Sequence, residues 1–293
     1  MILSALAAVI LTTSGLSDRH YGRGAHTDTT TDVKPGTRLQ IENFGGEVVV
    51  EGWSKDAVHV YAEHSARNLV EVGREGGTIR VVTSGRRGPP LTAELKVQVP
   101  RWMDVRVSGV YTDISVQGVE GEVRAETVRG DVSLLGGKSY VSLKSVEGGV
   151  TAKGTRGRIE ASSVNESVKL EDVRGEISAE TVNGDVALAG IVSDAVEVST
   201  VNGNICFGGE IHDGGHYAFS THGGDITLGI PGEPNASISV STFNGEFESG
   251  FQAKLFEHQG RRYRLTLGKG GADITVESFE GTIHLNPGEE KCE

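Results

Sequence analysis

Methionine, tryptophan and cysteine are each present only twice, proline occurs seven times, and aromatic residues make up 5% of the chain. So few large apolar side chains exclude a broad aromatic core. So few prolines exclude collagen-like and proline-rich architectures. Two cysteines at positions 206 and 292 have no metal-binding or redox spacing. Cys292 lies in the tail, so no structural disulfide is expected, and the redox compartment stays open. Positive charge is also short: 28 Lys and Arg stand against 40 Asp and Glu, a formal charge of −12. A field of that sign repels phosphate, which argues against nucleic acid or an anionic membrane as partner. No stretch reads as a long amphipathic helix. The one long apolar run is Ile2–Leu11, too short to span a bilayer as a helix.

That run makes residues 1–17 a signal or membrane-targeting segment, although a basic start and a clean small-residue cleavage site are missing. The expectation is export to the periplasm or cell surface, the alternative a cytoplasmic protein, with no integral span in the mature chain.

What the chain has in excess is glycine, 42 of 293 residues, about twice ordinary usage, together with valine and threonine. These fall into a repeat. Counting in nines from Val105 gives Ile114, Val123, Val132, Val141 and Val150, and then Ile159, Val168, Ile177 and Val186. Two residues after each anchor the side chain is again apolar, and the residue between is almost always polar. That alternation is a strand with one buried face. Five residues after each anchor lies a third apolar column, interrupted only at Gly137 and Thr155. Glycine follows at the seventh place in Gly121, Gly130, Gly148, Gly157, Gly175 and Gly184, where a tight corner calls for positive φ.

Two corner types alternate. One carries Thr127, Ser145, Ser163 or Thr181 before its valine; the other carries Gly118, Gly136, Gly154, Asp172 or Gly190. The period is therefore about 18 residues, two strands per coil. This predicts an all-β protein, a β-solenoid of single-stranded type with an N-terminal β cap. The expected layout is a linker over 18–36, the cap over 37–104, the solenoid over 105–250, an inserted hairpin over 251–272, a final coil over 273–286 and a tail over 287–293.

The opening LQIENFGGEVVVEGW, the ladder VRGDV, VRGEI, VNGDV and VNGNI, and the closing GGADITVESFEGTIHL together resemble the bacterial adhesin-like family DUF4097. The resemblance covers roughly residues 37–286. It implies a secreted or envelope-associated β-solenoid and brings no catalytic residues or cofactor with it.

Candidate chemistry is sparse. Asp131, Asp185 and Asp225 follow corner glycines, but one carboxylate per corner falls short of the six to eight oxygens calcium takes. The densest metal-like set is His212, His216, His222 and Asp225, in a glycine-rich loop. Its bland counterpart is a loop in which His222 packs at the corner position otherwise held by Val182, Val201 and Phe243. Arg129-Gly130-Asp131 reads as one draw from the repeat's corner alphabet. Pairs eighteen apart, such as Lys153 and Glu171, read as solvated salt-bridged columns. The non-repeating segments are the expected recognition loops: Glu210, His212, Asp213 and His216 in one, Arg261, Arg262 and Arg264 in the other.

These features predict a non-enzymatic binding or structural module of the envelope, contacting a polymer or another protein. The alternatives are an internal or membrane-associated scaffold that self-associates end to end, and a carbohydrate-active β-helix enzyme.

Overall fold

The computed structural model describes residues 25–252, 254–259 and 261–292; the targeting segment expected over 1–17 lies outside them. Every regular element among them is a β-strand. In the centre the nine-residue unit is one strand of a two-strand coil. On the first face Val123, Val141, Ile159, Ile177 and Val196 stack in parallel register. On the second face Val132, Val150, Val168, Val186 and Ile205 do the same.

The anchors and the residues two places on fill the narrow space between the faces. Each central coil supplies one leucine and one alanine at the second position. Ala125 goes with Leu134, Leu143 with Ala152, Ala161 with Leu170 and Ala179 with Leu188, all buried. The volume per layer is thus held constant while the large residue changes sides, as a close-packed core requires.

The two corners turn differently. At the glycine corner Gly118, Gly136, Gly154, Asp172 and Gly190 all take positive φ, and Asp172 (φ 53°) is the one non-glycine residue among those described to do so. There the third apolar column points inward, at Val119, Val173 and Ile191. At the other corner the Ser or Thr points inward instead. Ser145 Oγ donates to Gly130 O (2.8 Å), Ser163 Oγ to Gly148 O (2.9 Å) and Thr181 Oγ1 to Glu166 O (2.9 Å). Each buried hydroxyl thereby pairs with a carbonyl of the neighbouring coil, and the valine after it must face out.

At this corner Gly130 and Gly281 take positive φ, but other glycines are required by contact alone. A Cβ on Gly203 would lie 2.0 Å from Gly184 O, and one on Gly148 2.0 Å from Gly130 O, yet neither has positive φ. Coils here approach too closely for any side chain. Gly203→Ala is accordingly expected to cost about 2–3 kcal/mol through forced displacement of the coil beneath, seen as a lower urea midpoint at unchanged slope. An unchanged midpoint would mean the coils have slack at this corner.

Both ends depart from the linear order. Residues 25–32, expected as linker, form the strand Ala25–Asp32, which pairs antiparallel with Ala57–His64. Arg38–Trp53, expected as cap, is a full coil already in register with Asp104–Gln117, Leu39 on Val105 and Val48 on Ile114. The intervening chain lies outside it: residues 78–82 and 95–100 add a further parallel rung, overlaid by antiparallel strands. At the other end Ala272–Glu280 and Ile283–Pro287, expected as the final coil, slot between the rung at residues 216–230 and the rung at residues 236–249. The chain reaches back through the antiparallel hairpin Lys254–Gln259 and Arg262–Leu267, which covers the first face's edge. The second face ends in the three-residue strand Phe247–Ser249. Short or covered edges of this kind do not template further pairing.

The tail is not loose. It crosses the second face where Gly208 and Gly229 stack, and a Cβ on either would meet the backbone of Glu290 within 2.5 Å. That groove brings Cys292 over Cys206, Cα atoms 5.5 Å apart, and the two form a disulfide closing 86 residues of chain. The expectation of no structural disulfide is overturned. The groove arises from two glycines 21 residues apart that only the coil register brings together.

Candidate functional site

Many polar side chains at the corners of the repeat hold coils together. Asp131 Oδ1 accepts Gly149 N (2.8 Å), Asp185 Oδ1 accepts Asn204 N (2.7 Å) and Asp225 Oδ1 accepts Thr282 N (2.7 Å). These carboxylates are the corner residues weighed for calcium; they serve the next coil's backbone instead. Arg129 pairs with Glu147 (2.5 Å) and lies over the Tyr111 ring, so both charged ends of Arg129-Gly130-Asp131 are taken. Lys153–Glu171 (2.5 Å) and Lys138–Glu120 (2.8 Å) bridge eighteen-residue steps on the surface, each worth little in stability. Beside the hydroxyl corner Asn202 donates to Asn183 and Asn183 to Asn165, at 2.9 and 3.1 Å.

The histidine set does not converge. The glycine-rich stretch around His212 and His216, expected as a loop, belongs to the single bulged strand Ile205–Gly223. His216 and His222 stand six residues apart on it, roughly 20 Å at strand rise. His212 Nδ1 lies 2.7 Å from Asp194 Oδ1 and its Nε2 3.7 Å from Glu210 Oε2, while His216 Nδ1 lies 3.2 Å from Gly214 O. Among the described residues no three or more His, Cys, Asp or Glu side chains could hold a metal ion. Asp213 packs beside Gly271, and Gly214 N donates to Gly271 O (3.0 Å), tying the enlarged corner to the inserted rung. The residue that organises this corner is Tyr217, which no sequence motif singles out. Its hydroxyl donates to Ser193 O (2.6 Å) and accepts His212 N (3.0 Å), and burial pushes its phenol pKa up.

What remains unspent is apolar. The valine that follows each inward hydroxyl faces solvent: Val128 is 49% exposed, Val182 40% and Val201 43%. In the coil register these valines form one column with Val110, Val146 and Val164. Aromatic rings continue it at both ends. Toward the C-terminal end His222 stacks on Phe279 (4.7 Å, 11°) and Phe279 on Phe243 (4.7 Å, 7°). Toward the other end the column closes on Phe44, whose ring meets Tyr111 edge-on at 5.5 Å. Of the exposed large apolar side chains among the described residues, only Leu91 and Leu135 stand apart from this ridge.

Aligned β-branched and aromatic neighbours support one another along the axis, but their outer halves are uncovered. A strip of this kind, roughly 40 Å long at about 4.8 Å per rung, reaches the size at which surface patches mark contact sites.

The arginines flank its C-terminal end. Arg261 and Arg262 line a shallow groove with Phe243, Asn244 and Glu277; Arg264 sits farther along the hairpin, opposite Ser239. The two recognition segments expected from sequence are therefore not one site. The His212 corner lies at one edge of the first face, and the arginines adjoin the ridge at the other.

Residues 37–286 match the family described as Toastrack DUF4097. Among solved structures the chain is similar to a "putative adhesin" from Parabacteroides distasonis, at 8% identity and TM-score 0.48, covering 89% of this chain and 98% of that one. A "putative adhesin" from Parabacteroides merdae is 12% identical, with TM-score 0.45 and coverage of 90% and 96%. A "Putative lipid binding protein" from Parabacteroides distasonis is 12% identical, with TM-score 0.46 and coverage of 90% and 98%. Among curated proteins none matches the chain.

Proposed function

The chain belongs to the Toastrack DUF4097 family, and from that premise we propose that it is a non-enzymatic binding module of the cell envelope, with the exposed edge ridge as its adhesive surface. The observation that carries this reading is the ridge itself. The corner serines and threonines are spent on carbonyls, the corner aspartates on backbone N–H groups, and Arg129, Lys138 and Lys153 on neighbouring carboxylates. The valine and aromatic column is the repeated apolar feature whose outer half stays uncovered. The Cys206–Cys292 disulfide supports an oxidising compartment, in keeping with export.

Ridge substitutions separate binding from folding, because the side chains already face water. Val164→Lys with Val201→Lys is expected to leave the melting temperature nearly unchanged. Retention on envelopes prepared from the protein's own cells should fall at least about tenfold, as when central contact residues are lost. Lys169→Ala, on the open second face, serves as control. Retention that survives the ridge change, or that the control abolishes equally, sinks the proposal.

A further inference from the structure

We infer that the partner of the ridge is a second copy of the same chain, laid antiparallel along the same edge; this rests on the reading of the ridge as a binding surface. The column carries an aromatic ring at each end and valines in the middle, so reversing it sets like on like in three of its five rung pairs and valine on a ring in the other two. Centred between Val164 and Val182, an antiparallel copy brings Phe44 onto Phe243 and Val146 onto Val201. Val128 then meets His222, and Val110 meets Phe279.

The flanks carry the argument further. On the first-face side Glu126 meets Ser220, Lys144 meets Ser199 and Glu180 meets Ser162. On the other side Arg129 meets Gly223, Glu147 meets Asn202 and Asn165 meets Asn183. Every charged flank residue thus faces a neutral one. A parallel pairing instead sets Glu277 against Glu280 on both sides, a penalised like-charge contact; its opposite-charge contacts, Glu126 with Arg129 and Lys144 with Glu147, draw on groups already paired within the chain as Arg106–Glu126 and Arg129–Glu147. The antiparallel pair is isologous and closes on itself, the commonest symmetry of soluble oligomers. With its flanks, the strip is about 40 Å by about 15 Å, roughly 600 Å² per partner, at the low end of specific interfaces. The dimer is therefore weak and concentration-dependent.

Sedimentation velocity of the oxidised mature chain, from low micromolar to near-millimolar, tests this with two variants whose melting temperatures are checked against wild type. Wild type should move from monomer to dimer as concentration rises. Val182→Lys, which sets a lysine against Val164 of the other copy, should stay monomeric throughout. Val164→Glu combined with Val182→Lys should recover the dimer, since each glutamate then meets a lysine. Any of three results overturns the inference: wild type monomeric at the highest concentration, Val182→Lys still dimeric, or no recovery in the double variant. A monomeric wild type whose envelope retention still depends on the ridge would end this inference and leave the binding reading standing.

Discussion

Val168→Asp is expected to lose about 4–5 kcal/mol of stability or fail to fold, whereas Val164→Asp, four residues away, should cost about 1 kcal/mol or less. Val168 is fully buried, stacked between Val150 and Val186 in a layer lined by apolar side chains. An ionised aspartate there is unpaired, and a protonated one still leaves its hydroxyl and carbonyl without partners. Val164 carries the same side chain in the same repeat but is 37% exposed, so its aspartate keeps its hydration. Because each coil contacts only its neighbours, the Val168 lesion should split the rod, and the two halves should melt apart. Urea titration of both variants reads this contrast. Equal midpoints would mean that the inward and outward columns are wrongly assigned.

Reduction of Cys206–Cys292, or Cys292→Ser, is the second large effect. Closing 86 residues of chain removes denatured-state entropy equivalent to about 4.5 kcal/mol in the chain-entropy account. The closed segment contains the rungs whose spatial order differs from their sequence order, namely residues 216–230, 236–249 and 272–287. Without the lock the inserted rung and the tail on it can leave together. A new low-temperature transition is expected in scanning calorimetry under reductant, confined to the C-terminal rungs, with the centre melting as before. Superimposable scans with and without reductant would show that the Gly208 and Gly229 groove alone holds the tail.

The central coils are readable from sequence because every link there is local or strictly periodic. A nine-residue step places Val141, Val150 and Ile159 without knowledge of anything distant, and the alternation sets which side faces in. The ends are not readable, for the converse reason. Arg38–Trp53 has the same strand pattern as a cap, and only its pairing with Asp104–Gln117 makes it a coil. The slot taken by Ala272–Glu280 lies between rungs that the sequence presents as consecutive. The disulfide depends on two glycines meeting across coils, so the spacing of the cysteines carries no trace of it. The corner glycines are legible as necessary, but the two reasons are not told apart: Gly118 and Gly154 answer to φ, whereas Gly148 and Gly203 answer to contact with the coil beneath. In the ridge, an unbroken Val column looks like core. The signal that it is not lies one residue earlier: a Ser or Thr that turns inward forces its successor out. The residues at 210–216 stand out by their chemistry, whereas Tyr217, which fixes that corner, looks like any other apolar strand position.

The most direct test of the ridge as the working surface is hydroxyl-radical footprinting of the protein free in solution and bound to envelopes from its own cells. Protection is expected to concentrate at Val128, Val182, Val201, Phe243 and Phe279, with the outward residues of the second face unchanged. Protection of the faces or of the His212 corner, with the ridge as reactive as in the free protein, would contradict it.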